Sequence, residues 1–153
     1  MNIKERTSDA ISNLKVPQER QKPDVSRIAL LALGDALVFV IFAAIGMRNH
    51  KESLTIPSVL VTAAPFAIGW FLVSPFIGAF RNRITARPGK MSLRTLLAWL
   101  AAWPVGLLLR GITRNEIPPL SFAIVALITN TIFLQLWRVP FAWFVGRKEN
   151  TRR

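Results

Sequence analysis

Four long blocks of apolar residues divide this chain and decide what it can fold into. The blocks cover about residues 28–47, 56–80, 93–110 and 120–145. A transmembrane helix needs about 20 mostly apolar residues to cross roughly 30 Å of hydrocarbon, whereas a soluble domain disperses its apolar residues among polar ones. The sequence therefore predicts an all-α, polytopic membrane protein with four transmembrane helices in a small bundle.

The segments that flank these blocks are polar and basic. We divide the chain into an N-terminal tail (1–27), a four-helix transmembrane domain (28–146) and a C-terminal tail (147–153). The first block is not typical of a signal peptide, because it follows a long polar segment and ends in GMRNH rather than in a small-x-small cleavage site. We expect a mobile, solvated N-terminal tail. The alternative is a short surface helix whose apolar face would comprise Ile3, Ala10, Ile11 and Leu14.

The uneven distribution of basic residues predicts the orientation of the chain. Lys and Arg number 20 against 8 Asp and Glu, which gives a net charge of +12. Of these, 16 lie before the first block, between the second and third or at the start of the third, or from residue 138 onward, and 4 lie in the other two connections or at the block end that borders them. Since basic residues accumulate on the cytoplasmic side, both termini should be cytoplasmic in a bacterial cytoplasmic (inner) membrane that the chain crosses several times. We expect no nucleic-acid partner, because no nucleic-acid-binding motif occurs.

The chain lacks the residues that most catalytic and metal sites require. Without cysteine it has no disulfide, no thiol nucleophile and no thiolate metal ligand. No HExxH, GxSxG or glycine-rich phosphate loop occurs, and no pair of carboxylates is spaced for acid–base catalysis. We therefore expect no enzymatic activity, no catalytic residue, no metal site and no cofactor.

Prolines and small residues predict details of the packing. The dipeptide Pro88-Gly89 predicts a turn in the cytoplasmic loop 81–92. Prolines within apolar blocks remove a backbone hydrogen bond and should kink a helix unless they lie at its end; they are Pro65, Pro75 and Pro104. Small residues four positions apart permit close helix contacts; these pairs are Ala32/Ala36, Ala63/Ala67 and Ala102/Gly106. The five tryptophans receive no functional assignment.

An ionisable residue, Asp35, lies deep in the first block. Eight residues separate it from Arg27, which places it about 12 Å into the helix at 1.5 Å per residue. A charge at this depth normally faces the bundle interior and has a partner, or is protonated. Asn130 should lie at a similar depth in the fourth helix, and Arg138, nearer the cytoplasmic end, can snorkel or turn towards Asp35. We expect the contacts Asp35–Asn130 and Asp35–Arg138, and favour a structural role over a proton or substrate site.

A second polar cluster is expected at the outer face, formed by Arg48, His50, Arg110 and Glu116. Arg110 closes the apolar run WPVGLLLR, so its stem should lie in hydrocarbon and its guanidinium at the interface. A single histidine beside basic residues is a poor metal site. A simple interfacial role is the favoured interpretation. The alternative is that Arg48, His50 and Arg110 bind an anion such as a lipid headgroup.

Several segments, taken in their order along the chain, resemble a known family. They are GDALVFVIFAAIGMRNH, PFAIGWF, WPVGLLLR and PPLSFAIVALITNTIFLQLWR. The aspartate of the first helix, Gly46 and His50 at its exit, Trp70 in the second helix, and Gly106 with Arg110 in the third resemble the small bacterial four-helix membrane proteins grouped as domain of unknown function family 3054. The likeness covers about residues 28–138. It implies an integral membrane protein and supplies no activity.

The expected function is that of a non-enzymatic structural, assembly or lipid-contacting subunit of the inner membrane. Its expected partners are membrane lipids, including anionic headgroups, and either a second copy of the chain or a larger membrane complex. The alternative is a small, oligomeric, proton-coupled transporter that uses Asp35. That alternative rests on an analogy with small multidrug transporters, which have four helices and an essential carboxylate in the first helix. Such an analogy of architecture is weak evidence for function.

Overall fold

The computed structural model describes residue 3 and residues 23–152. The expectations for residues 4–22, including most of the surface helix, lie outside the described residues. The helices within 23–152 are α1, Val25–Asn49; α2, Ile56–Val73; α3, Asn82–Thr85; α4, Pro88–Arg114; and α5, Leu120–Thr151. In this part of the chain four helices are long and apolar enough to cross a membrane, and no strand occurs. The prediction of an all-α, polytopic membrane protein with four spanning helices is confirmed.

The second helix is shorter than its apolar block suggests. α2 ends at Val73, although the block continues to residue 80. Residues 74–80 form a series of turns instead, here called the 74–80 segment. Pro75 lies in this segment, so the kink that it predicts within a helix does not occur. Pro65 and Pro104, by contrast, lie inside α2 and α4.

α4 and α5 extend beyond the predicted spans. α4 begins at Pro88, so the predicted turn at Pro88-Gly89 is wrong. Proline suits the first position of a helix because the N–H that it lacks would have no helical partner there. α5 continues to Thr151, so most of the predicted C-terminal tail is helical. The short helix α3, which the sequence did not predict, precedes α4.

The four long helices form a ring in which each packs mainly against two others. α1 packs against α2 and α5, and so does α4. Aromatic rings fill the centre, with centroids 5.5–6.5 Å apart between neighbours; they belong to Phe39, Phe42, Phe66, Trp70, Trp99 and Phe122. Large aliphatic residues of α1 point outward at intervals of four; they are Leu33, Leu37, Ile41 and Ile45. Apolar residues on both faces are typical of a helix inside a membrane.

α2 and α4 approach each other closely at a pair of glycines. A Cβ atom on Gly69 would lie 3.0 Å from the Ala102 carbonyl oxygen and 3.0 Å from the Gly106 nitrogen. A Cβ atom on Gly106 would lie 2.7 Å from the Phe66 ring. The predicted small pair Ala102/Gly106 thus lies at this helix contact, where a larger side chain would force the two helices apart.

The start of α1 and the end of α5 lie together at one end of the molecule. Arg27, near the start of α1, forms an ion pair with Glu149 near the end of α5, with 2.7 Å between Nη2 and Oε1. Arg27 also donates to the Thr85 hydroxyl of α3 over 3.4 Å. The start of α1, the connection between α2 and α4, and the end of α5 therefore share one end of the bundle, as an even number of spans requires.

Candidate functional site

Asp35 lies on the face of α1 that the bundle buries. The buried residues of α1 recur every three or four positions, and they are Leu31, Asp35, Val38, Phe39, Phe42, Ala43 and Met47. This spacing corresponds to one side of an α-helix, so the position of Asp35 in the helical pattern directs its carboxylate inward. The side chain of Asp35 has no exposure to solvent.

Arg138 of α5 binds the Asp35 carboxylate through two hydrogen bonds. Its Nε donates to Oδ1 over 2.9 Å, and its Nη2 donates to Oδ2 over 2.6 Å. The guanidinium is planar and presents its donors as a fork that matches both oxygens of a carboxylate. Like Asp35, Arg138 is fully buried. The predicted contact between Asp35 and Arg138 is therefore present, and Arg138 turns into the bundle rather than towards the interface.

Further groups from the rest of the bundle satisfy both members of the pair. The Trp70 indole N–H donates to Oδ2 of Asp35 over 3.0 Å. The second terminal nitrogen of Arg138, Nη1, donates to the Ala79 carbonyl oxygen over 3.1 Å and contacts the Met91 sulfur at 3.6 Å. The guanidinium carbon also lies 4.8 Å from the ring centroids of both Trp70 and Phe80. Groups from all four spanning helices and from the 74–80 segment thus meet at this pair.

The 74–80 segment supplies the backbone acceptor that Arg138 needs. Pro75 has no N–H, and Gly78 adopts a φ of 77°, in the left-handed region that glycine tolerates best. The helix therefore cannot continue, and the Ala79 carbonyl is free to accept from Arg138. Non-helical backbone at membrane depth is tolerated where protein buries it, and Ala79 is fully buried.

Asn130 does not contact Asp35, so this predicted pair is wrong. The Asn130 amide donates to the Ala126 carbonyl of its own helix over 3.0 Å, and its Oδ1 has no hydrogen-bond partner among the described residues. Asn130 precedes Arg138 by eight residues on α5. It therefore faces the same side but lies about 12 Å farther along the helix, while Arg138 lies at the depth of Asp35.

The predicted cluster at the outer face is looser than the inner pair. Arg48 and His50 are exposed at the end of α1, and Glu116 is exposed after α4. Arg110 is half-buried, and its guanidinium carbon lies 4.2 Å from the ring centroid of Phe122. No side-chain hydrogen bond or ion pair joins the four predicted members within the described part of the chain. The outer site is therefore a stacked arginine with charged neighbours.

Sequence reasoning missed three of the groups that hold the buried pair, namely Trp70, Phe80 and Met91. Trp70 is one of the residues that carry the family resemblance, but the sequence does not indicate which group its indole N–H contacts. Its position in the middle of an apolar block does indicate a partner, however, because a buried indole N–H needs a hydrogen-bond acceptor. Trp99 and Trp103 meet the same need differently, because they donate to the carbonyls of Leu127 and Ala123 on α5.

Comparison with known proteins gives a match to one family model. The family is described as "Protein of unknown function (DUF3054)", and the match covers residues 32–141. Asp35, Trp70, Arg110 and Arg138 all fall within it. No curated protein and no solved structure matches the chain.

Proposed function

We propose that this chain, which belongs to the DUF3054 family of proteins of unknown function, is a structural or assembly subunit of a bacterial cytoplasmic membrane. In this proposal the protein has no enzymatic activity and contacts membrane lipids. The observation that carries the proposal is the pair of Asp35 and Arg138, whose hydrogen bonds link α1, α2, α5 and the 74–80 segment. The strongest polar contacts in the membrane-crossing region therefore hold its own helices together.

The same pair counts against proton-coupled transport, which is the alternative function. A carboxylate that carries protons must leave its cationic partner and exchange protons with the two sides of the membrane in turn. Asp35 instead accepts three hydrogen bonds, two from Arg138 and one from Trp70. Removing one partner of such a pair would leave an uncompensated buried charge, at a cost of about 3–5 kcal/mol. This arrangement favours a fixed structural role.

The orientation with both termini in the cytoplasm is part of the proposal. Arg138 pairs inside the bundle and so contributes nothing to surface charge. Among the described residues, most of the remaining basic ones lie at the end of the bundle where Arg27 pairs with Glu149, and basic residues favour the cytoplasmic side. Tags at residue 2 and residue 153 should be inaccessible from outside intact cells. A tag within 48–55 should be labelled externally, and external labelling of either terminus would overturn the orientation.

Purification of the tagged chain from native membranes in a mild detergent tests the subunit role. We expect a larger membrane complex to co-purify in a fixed stoichiometry, and untagged membranes processed in parallel serve as the control. The competing function is tested with the chain in sealed vesicles under a pH gradient. Gradient-driven flux that is present with the wild type and absent with Asp35→Asn would overturn the proposal in favour of a transporter.

A further inference from the structure

An apolar groove runs along the outer surface of the bundle between α1 and α5. It consists of two adjoining cavities of about 450 and about 340 Å³ that share Leu30, Leu136 and Trp137. We call it the α1–α5 groove. Its lining is otherwise aliphatic and aromatic, and it reaches Ile41 and Phe133 at one end and Lys148 at the other. Because both helices cross the membrane region, the groove faces hydrocarbon along most of its length.

The length of the groove corresponds to one leaflet of a bilayer. Its lining on α5 extends from Phe133 to Lys148, which is about 22 Å at 1.5 Å per residue. A bilayer with its headgroup regions is about 40–45 Å thick, so one leaflet is about 20–23 Å. A phospholipid chain lying in the groove would thus reach from the headgroup level near Lys148 to the middle of the membrane.

Lys148 gives the groove a charge at its headgroup end. Among the described lining residues it is the only charged one. Its ammonium group has no hydrogen bond or ion pair within the described residues, and the carboxylate of the next residue in the chain, Glu149, pairs with Arg27. A basic residue at this level attracts the phosphate of an anionic lipid. The apolar lining and the positive charge at its end together fit an anionic lipid, which carries an acyl chain and a phosphate.

We propose that the α1–α5 groove binds an anionic glycerophospholipid from the leaflet on the side of Arg27 and Lys148. One acyl chain lies along the groove and the phosphate contacts Lys148. A second groove, between α1 and α2, provides the internal comparison. It has a volume of about 530 Å³ and is lined by apolar residues from both helices, Ile68 among them, with no charged residue. The proposal therefore assigns selective lipid binding to one groove and unselective contact to the other.

The headgroup contact is tested with the full-length chain in a mild detergent, to which an anionic or a zwitterionic phospholipid with the same acyl chains is added. Native mass spectrometry measures the affinity for each lipid. We expect Lys148→Ala to lower the affinity for the anionic lipid about fivefold, because each basic residue near the membrane surface contributes about 1 kcal/mol. The affinity for the zwitterionic lipid should not change. Arg152→Ala is the control, since Arg152 is exposed at the same end but does not line the groove. Equal losses in both variants would overturn the proposal.

The chain contact is tested by filling each groove with a larger side chain. Ile41 and Ile68 are both 50 % exposed, and they line the α1–α5 groove and the α1–α2 groove respectively. Ile41→Trp should reduce retention of the anionic lipid severalfold, whereas Ile68→Trp should leave it unchanged. No effect of Ile41→Trp would contradict binding in this groove. A mass of two chains that Ile41→Trp reduces to one would also contradict it, because the occupant would then be a second copy.

Discussion

Arg138 and Arg110 both stack on aromatic rings, but they differ in burial and in hydrogen bonding. The guanidinium carbon of Arg138 lies 4.8 Å from the ring centroids of Trp70 and Phe80, and that of Arg110 lies 4.2 Å from the ring centroid of Phe122. Arg138 is fully buried and donates to the Asp35 carboxylate and the Ala79 carbonyl. Arg110 is half-buried and has no hydrogen-bond acceptor among the described residues.

The difference shows how depth changes what a guanidinium requires. In the bundle interior no water reaches Arg138, so the protein itself must supply a counter-ion and acceptors. At the outer end of α4 water and lipid headgroups can accept hydrogen bonds from Arg110, so an aromatic face is sufficient to position it. Stability should therefore depend strongly on Arg138 and weakly on Arg110, whereas accessible anions should sense only Arg110.

The largest expected effect comes from removing one charge of the buried pair. Arg138→Met keeps a long side chain but leaves the Asp35 carboxylate buried without its cation, which costs about 3–5 kcal/mol. The matched variant Arg110→Met should lose less than about 1 kcal/mol, the worth of an exposed cation–π contact. Denaturant titration of both variants in the same lipid–detergent mixture measures the free energies of unfolding. Similar losses would remove the distinction between the two arginines.

The next expectation concerns the double variant Asp35→Leu/Arg138→Met. Replacing both members of a buried pair by apolar residues of similar volume is often neutral or stabilising. The double variant should therefore be more stable than either single variant, so the coupling energy in the thermodynamic cycle should exceed the loss of either single variant, which is about 3–5 kcal/mol. Additive losses in the thermodynamic cycle would mean that the two charges do not stabilise each other.

Infrared spectra should also show an ionised Asp35 carboxylate at pH 7 that is absent in Asp35→Asn.

A smaller effect is expected from the indole that completes the site. Trp70→Phe keeps an aromatic ring near Arg138 and removes the N–H that donates to Asp35. A hydrogen bond to a charged group contributes about 1.5–3 kcal/mol, so the loss should lie below that of Arg138→Met. Trp99→Phe is the control, because its N–H donates to the neutral carbonyl of Leu127, where about 1 kcal/mol is typical. The reverse order in unfolding measurements would show that Asp35 does not depend on Trp70.

The sequence was sufficient to predict the buried pair but not its surroundings. Asp35 lies within an apolar block, and a charge at that depth needs a partner, which left few candidates. Asn130 was a wrong candidate because hydropathy does not locate helix ends. α5 continues past the end of its apolar block to Thr151, so Arg138 rather than Asn130 reaches the depth of Asp35.

The 74–80 segment shows the same limit for the backbone. All of its residues except Ser74 are apolar, and hydropathy therefore assigned the segment to the second helix, although Pro75 and Gly78 interrupt it. The acceptor at Ala79 and the sulfur of Met91 come from a non-helical turn and from an ordinary apolar position. Neither has a pattern that distinguishes it in a sequence. Such contacts depend on how the helices pack, which local periodicity does not determine.

The smallest effect on stability should accompany a change in lipid binding at the outer face. Arg110→Ala should unfold within about 1 kcal/mol of the wild type, yet it should retain less anionic lipid in purified samples than Arg114→Ala does. The reason is that Arg114 is exposed and already donates to the Thr62 hydroxyl over 3.4 Å, while the donors of Arg110 have no acceptor among the described residues. Lipid extracted from equal amounts of the two variants and quantified by headgroup class gives the comparison. Equal amounts of anionic lipid in the two variants would show that Arg110 does not bind lipid headgroups. Arg110 and Arg138 would then differ only in how much each contributes to stability.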